Sequence, residues 1–126
     1  LTLKGQAGII AAIAFSPDGK HLASASSDQT VVIWDLNTGR AWLTLKGHTG
    51  LLTGVTFSPD GKRLASSSFD KTVVIWDSAS GHALATLKGR SAAVFGVAFS
   101  PDGKLLASAS ADKVVELWDV DAEIRR

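Results

Sequence analysis

Cysteine is absent from the 126 residues, and neither sign of charge is in marked excess. The lack of cysteine excludes disulfide frameworks, thiolate metal sites and thiol catalysis. The 13 basic and 12 acidic residues leave a formal net charge of +1, too little to hold nucleic acid or a membrane surface by charge alone. Long apolar runs are also missing, and we expect neither a membrane helix nor a signal peptide. These absences predict a cytoplasmic protein with no nucleic-acid or membrane partner.

The chain does contain a repeat of 42 residues, and three copies of it account for the whole length. About 25 of 42 positions match between the first two copies and about 21 of 42 between the second and third, a self-similarity typical of solenoids, propellers or arrays. With 45% hydrophobic residues, the composition is that of a globular protein. We therefore expect a single repeat domain with repeats at about residues 1–42, 43–84 and 85–126.

Within one repeat, the local pattern is that of four short strands. The segment Ser-Pro-Asp-Gly that starts at Ser16 fits a type I turn, with proline at its second position. Residues 9–15 before it and 22–26 after it are strand candidates, followed by the β-branched segment 30–34 and by residues 41–45. Several of these strands are apolar on both faces, which is typical of a sheet packed between two others.

These features resemble a known family. Gly47 and His48 are followed 28 positions later by the pair Trp76 and Asp77, with Asp70 in the turn between them. This arrangement resembles the tryptophan-aspartate (WD) repeat, and the resemblance covers essentially the whole chain. It implies an all-β fold of three WD-type propeller blades, each a four-stranded antiparallel sheet, in a family whose rings typically hold about four to eight blades. In the family order, a repeat supplies the outer strand of one blade and the inner three strands of the next.

Three blades are too few to close a ring by themselves. Residues 1–4 match an outer strand, whereas residues 120–126 do not, so the last blade lacks its outer strand. We predict that residues 1–4 of one copy complete the last blade of a neighbouring copy, head to tail. Two copies give about six blades and three give about nine. The alternative is that the 126 residues are a segment of a longer propeller.

The resemblance also implies a structural role for the most catalytic-looking residues. It predicts a buried chain of hydrogen bonds through His48, Ser68, Asp70 and Trp76, which fixes the outer turn of a blade to its inner strands. The position of His48 is Gln6 in the first repeat and Arg90 in the third, so the complete network forms once. The sequence contains no phosphate-binding loop and no metal-ligand spacing. We therefore expect no catalytic residues, no bound metal and no cofactor.

Residues that the repeat does not explain are the better candidates for a specific function. Phe69 and Phe95 are unique to their repeats and fall where the family exposes side chains at one end of the propeller. An apolar centre with a polar rim is typical of a protein interface, and aromatic residues often anchor it. We expect a protein or peptide partner on this surface; the alternative is that both rings only fill gaps between blades. The candidate partner-binding residues are Ile9, Leu51, Thr53, Phe69, Ala93 and Phe95.

The sequence thus predicts a non-catalytic scaffold that assembles into a propeller and presents a loop face to a protein or peptide. A purely structural or designed propeller fragment that assembles with itself and has no external ligand is the second interpretation.

Overall fold

The structure is a computed structural model that describes residues 1–89 and 92–126. Its strands form three antiparallel sheets that follow one another along the chain, and we call these blades 1, 2 and 3. Blade 1 contains β1 (Ile10–Phe15), β2 (His21–Ser26), β3 (Thr30–Asp35) and β4 (Arg40–Lys46). Blade 2 contains β5 (Leu52–Phe57), β6 (Arg63–Ser68), β7 (Thr72–Asp77) and β8 (Ala83–Lys88). Blade 3 contains β9 (Val94–Phe99), β10 (Leu105–Ser110) and β11 (Val115–Asp119), followed by the helix α1 (Val120–Arg125).

The Ser-Pro-Asp-Gly turns connect the first two strands of each blade. In blade 1 the amide of Gly19 donates to the carbonyl of Ser16 at 2.9 Å. The Ser16 hydroxyl donates to the Asp18 carboxylate at 2.6 Å, and the same oxygen accepts from the Lys20 amide at 2.9 Å. Gly19 has φ of 72°, a left-handed conformation that glycine adopts without steric cost. The same contacts recur in blades 2 and 3, and they explain why this turn is copied so closely.

A second, tighter turn joins the second and third strands of each blade. The residue after its aspartate has a positive φ, and that residue is not glycine. Aspartate stabilises the turn: in blade 2 the Asp70 carboxylate accepts from the Thr72 amide at 2.9 Å and from the Thr72 hydroxyl at 2.6 Å. The residues with positive φ are Gln29, Lys71 and Lys113.

The blades pack face to face through side chains that alternate along their strands. One apolar cluster joins blades 1 and 2, and the fully buried Ile33 and Leu64 belong to it. A second cluster joins blades 2 and 3 and includes the buried Ile75 and Leu106. Because each strand contributes one face to each neighbour, blade 2 is covered on both sides, as the run of apolar residues predicted.

The two ends of the chain differ from a complete blade. Blade 3 has three strands, in the order β11-β10-β9, and α1 stands where the other blades turn into their fourth strand. Residues 1–4 are not in a strand in this single chain, and their pairing as the outer strand of a neighbouring copy stays a prediction. An outer strand exists only when it pairs with a neighbouring strand edge, and in one copy the segment lies beside blade 1 without pairing with its sheet.

The all-β propeller-blade fold and the open, unclosed arrangement predicted from the sequence are confirmed. Among the described residues, no helical segment is long and apolar enough to cross a membrane.

Candidate functional site

A chain of buried polar side chains connects the entry loop of blade 2 to its inner strands. The Nδ1 of His48 lies 2.8 Å from the Asp70 carboxylate, and its Nε2 lies 2.7 Å from the hydroxyl of Ser66. The indole N–H of Trp76 donates to the same Ser66 hydroxyl at 2.8 Å. Asp70 also accepts from the amide of Thr49 at 3.0 Å. The loop before β5 is thereby tied to β6, β7 and the turn between them.

The serine expected in this network was wrong by two residues. The structure places Ser66, not Ser68, between the imidazole and the indole. Ser68 is also fully buried, but its hydroxyl accepts from the amide of Asp70 at 3.0 Å and so stabilises the turn. Alternation puts both serines on one face of β6, and strand register decides between them. Leu64 lies opposite Trp76, so Ser66 is the nearer of the two to the indole.

The ionised form of Asp70 is favoured by this arrangement. Burial opposes ionisation and is the largest single influence on the pKa of the carboxyl group. Hydrogen bonds from Thr72, His48 and Thr49 together outweigh burial and lower the pKa below its ordinary value of 3.8. A carboxylate that accepts several hydrogen bonds is stabilised in its charged form.

The order Ser66, His48, Asp70 is that of a nucleophile, a base and an acid, but its surroundings do not suit catalysis. Ser66 is fully buried and His48 is 5% exposed, so a substrate has no path to the hydroxyl. The Ser66 hydroxyl is also engaged by both the imidazole and the indole of Trp76. A catalytic nucleophile needs a site beside it where a reacting atom can sit. The arrangement is suited to hold the blade together.

The equivalent positions in blades 1 and 3 also place a serine against the tryptophan. In blade 1 the Ser24 hydroxyl donates to the side-chain oxygen of Gln6 and accepts from the indole of Trp34 at 2.8 Å. In blade 3 the indole of Trp118 donates to Ser108 at 3.1 Å. The third-repeat counterpart of His48, Arg90, lies outside the described residues.

The six candidate partner-binding residues lie along the loop ends of successive blades. Phe69 of blade 2 and Phe95 of blade 3 meet edge to face, with ring centroids 5.4 Å apart and an interplanar angle of 87°. These rings are 45% and 51% exposed, and the adjacent Leu51 is 45% exposed. The amide of Phe69 donates to the carbonyl of Leu51 at 2.9 Å. The structure therefore brings these three together into one apolar surface, which we call the loop face.

The other three candidates contribute differently. The Thr53 hydroxyl donates to the carbonyl of Val94 at 2.6 Å and contacts the Ser67 hydroxyl at 2.9 Å, so it joins blade 2 to blade 3. Ala93 is half-buried, and its carbonyl accepts from Ala111. Ile9 is 79% exposed on blade 1 at the repeat position that Leu51 occupies in blade 2. Thr53 and Ala93 thus have structural contacts. Ile9 is an exposed apolar residue at the equivalent position of blade 1.

The repeated geometry, with blades of antiparallel strands and a Trp-Ser contact in each blade, defines a propeller-type repeat protein. The family model of the WD domain, G-beta repeat, matches residues 1–35, 39–77 and 81–119. The chain therefore belongs to the WD-repeat family, as the sequence predicted.

Individual relatives match one repeat each. The chain is 54% identical over 37 residues to Protein Notchless of Drosophila melanogaster, which is 29% of this chain and 8% of that protein. It matches the Notchless protein homolog of Arabidopsis thaliana to the same extent. It is 47% identical over 38 residues to Protein HIR1 of Kluyveromyces lactis, 30% of this chain and 4% of that protein. The matches thus span less than a tenth of each of these relatives.

Proposed function

We propose that this chain is a non-catalytic WD-repeat scaffold that assembles with copies of itself into a propeller and presents its loop face to a protein or peptide. Membership of the WD-repeat family supports the scaffold role, because these repeats serve generally in protein interactions. The burial of Ser66 and His48 supports the absence of catalysis.

One observation carries the proposed partner site: an exposed pair of aromatic rings spans two blades. The repeat does not require either ring, because the positions of Phe69 and Phe95 hold serine, alanine or threonine in the other repeats. Large apolar side chains that the fold does not need are costly to expose unless they bind something. Edge-to-face rings form a rigid contact surface that loses little conformational entropy on binding.

The experiment replaces each ring by the smaller residue found elsewhere in the repeat, as Phe69→Ser and Phe95→Thr. Peptides selected from a displayed random library on the wild-type protein are then measured against each variant. We expect both variants to lose these peptides while the unfolding midpoint and assembly state remain unchanged. Unchanged peptide binding together with a lower unfolding midpoint would favour the purely structural interpretation, in which the rings fill gaps.

Self-assembly is supported by the faces that the first and last blades leave uncovered. In blade 3, Val115 and Leu117 are each 68% exposed. Their counterparts in blade 2, Val73 and Ile75, are 1% and 0% exposed because blade 3 covers them. The exposed side of blade 3 thus carries the same types of residue that, in blade 2, pack against the next blade.

Blade 1 exposes the complementary surface. Ile13 and Phe15 are 62% and 67% exposed, whereas their counterparts Val55 and Phe57 in blade 2 are 8% and 9% exposed against blade 1. Docking the uncovered side of blade 3 onto the uncovered side of blade 1 in a second copy repeats the contact already made twice within the chain. A second copy is therefore the proposed occupant of both faces.

Residues 1–4 would then gain a strand partner. In blade 1, Leu45 of the outer strand lies opposite Val31, and Lys46 lies opposite Thr30. By the same register, Leu3 of one copy lies opposite Val115 of the next. Two copies make about six blades and three make about nine.

A further inference from the structure

A cleft opens between blades 1 and 2 at the end of the molecule opposite the loop face. Its volume is about 640 Å³. Blade 1 contributes one wall and blade 2 the other, and the apolar side chains of Ile33 and Phe57 line its interior. The other lining residues include His21, Trp42, Ser78 and Ala79.

The equivalent position between blades 2 and 3 is filled by the chain itself. Val120, which corresponds to Ser78, is 0% exposed and packs in the apolar cluster that also includes Leu84. The next residue, Asp121, accepts from the Arg63 guanidinium at 2.9 Å. The two junctions are otherwise alike: Gly61 lies beside Pro17 in the first as Gly103 lies beside Pro59 in the second.

Small residues therefore keep the first cleft open. Ser78 and Ala79 stand where Val120 and Asp121 fill the second junction, and His21 stands in place of Arg63. Without an acid at position 79 or an arginine at position 21, the ion pair that spans the second junction has no counterpart here. The junction between blades 1 and 2 therefore has no branched aliphatic side chain at the position that Val120 occupies between blades 2 and 3.

A large aromatic residue is placed at the opening of this cleft. Trp42 stacks on His21, with ring centroids 4.6 Å apart and an interplanar angle of 24°, and it remains 45% exposed. The corresponding residue in blade 2 is Leu84. An exposed tryptophan face attracts guanidinium and ammonium groups through its quadrupole.

The charges at the opening favour a cationic occupant. Asp18, Asp60 and Asp77 line the cleft, and Lys62 is the lysine among the lining residues. Hydrogen bonds from neighbouring serine side chains or backbone amides lower the pKa of all three carboxyl groups, so they are ionised at neutral pH. Each carboxylate uses one oxygen to hold its own turn.

We propose that the cleft between blades 1 and 2 binds a peptide segment in which a branched aliphatic side chain is flanked by basic residues. The aliphatic side chain occupies the volume that Val120 fills at the other junction, over Ile33 and Phe57. The flanking basic groups lie against the exposed face of Trp42 and near the three carboxylates. This site is separate from the loop face and lies within one copy, so it depends neither on the proposed partner at Phe69 and Phe95 nor on self-assembly.

The test uses three N-acetylated, C-amidated pentapeptides with glycine at each end: Arg-Val-Arg, Asp-Val-Asp and Arg-Gly-Arg in the centre. Binding is followed by nuclear magnetic resonance, through the indole N–H signal of Trp42 and the amide signals of Ser78 and Ala79. We expect saturable shifts at these positions with the Arg-Val-Arg peptide, and at least about tenfold weaker binding of the other two. Equal binding of the acidic peptide, or shifts centred on Phe69 and Phe95 instead, would overturn the proposal.

Two variants copy the filled junction into the open one. The triple variant His21→Arg, Ser78→Val, Ala79→Asp supplies the aliphatic side chain and the ion pair, and it should weaken the Arg-Val-Arg peptide by about tenfold or more. Trp42→Leu removes the stacking face while keeping the residue type of blade 2, and it should also weaken binding. Since each replacement residue already exists at the second junction, both variants should fold, and a cooperative unfolding transition of each variant checks this. Wild-type affinity in either folded variant would contradict the assigned site.

Discussion

At the scale of single residues, the Ser66 hydroxyl joins two parts of blade 2 that are far apart in sequence. It connects the imidazole of His48 in the entry loop to the indole of Trp76 in β7. All three residues are almost entirely buried. Removing one of them takes a hydrogen bond from a buried partner, and a buried polar group that loses a partner costs more than the bond itself contributes.

The first prediction concerns His48. His48→Ala should lower the free energy of unfolding by about 1–3 kcal/mol, because the Asp70 carboxylate and the Ser66 hydroxyl lose a buried partner. Urea denaturation followed by tryptophan fluorescence measures the change. The matched control is His82→Ala, at an exposed histidine after the last turn of blade 2, where a change within about 0.5 kcal/mol is expected. Equal effects of the two substitutions would show that the network does not stabilise the blade.

The second prediction concerns how the free energy of unfolding changes at acid pH. Asp70 has a lowered pKa in the folded chain, so its contribution is fully present above about 3.8 and is lost as the pH falls through the folded pKa. Asp70→Asn should therefore be less stable than the wild type at pH 7, yet lose less stability between about pH 4 and pH 2. Denaturation series across this range measure both slopes. Parallel slopes would show that Asp70 is not among the groups whose protonation unfolds the chain.

At the scale of secondary-structure elements, the strands and turns were largely predictable and α1 was not. The repeated Ser-Pro-Asp-Gly turns set strand boundaries to within one or two residues, because their hydrogen bonds are local. The helix α1 is only six residues long, too short to be stable through helix propensity alone. Asp119 caps it by accepting from the Ala122 amide at 3.0 Å, and that aspartate was a usable sequence signal. Its second support, the burial of Val120 against blade 2, depends on tertiary structure.

The position of Ser66 shows a similar limit. Two buried serines of β6 share one face, and only the pairing of Leu64 with Trp76 places Ser66 nearer to the indole than Ser68. Period and residue type alone do not give that register. The contact between Phe69 and Phe95 likewise could not be predicted from the sequence, because it depends on how two blades pack. The exposure of both rings was expected from the family resemblance.

The third prediction concerns the attachment of α1. Val120→Ser should lower the free energy of unfolding by about 1.5–3 kcal/mol, since Val120 is fully buried and anchors the helix in the apolar cluster between blades 2 and 3. The control is Asp121→Ala, which removes the partly exposed ion pair to Arg63 and should cost at most about 1 kcal/mol. Thermal unfolding followed by circular dichroism measures both. A larger loss in Asp121→Ala than in Val120→Ser would mean that the ion pair, rather than apolar burial, holds α1.

At the scale of the whole molecule, the three blades leave two apolar faces exposed, one on blade 1 and one on blade 3. Faces of the same kind are covered by blade-to-blade contacts inside the chain. A soluble monomer rarely exposes a contiguous apolar patch larger than a few hundred Å². The contact that covers such a face is already present twice, between blades 1 and 2 and between blades 2 and 3. Because the two exposed faces are different surfaces, the proposed association is head to tail, and such an assembly closes only if the rotations complete a circle.

The last prediction distinguishes head-to-tail assembly, in which two different faces meet, from assembly through two identical faces. Native mass spectrometry should show the wild type as a particle of two or more 13.1 kDa copies. Leu117→Lys charges the uncovered face of blade 3, and Phe15→Lys charges that of blade 1; each variant alone should be a monomer, because every junction needs one face of each kind. Mixed together they retain one intact face each, so they should form an open pair that contains one copy of each variant and grows no further.

Asn37→Lys, in an exposed turn, controls for added charge and should assemble as the wild type does. A wild type that stays at 13.1 kDa at micromolar concentration would show that other chains or further blades cover these faces, and pairing of either variant with itself would show that the contact is not head to tail.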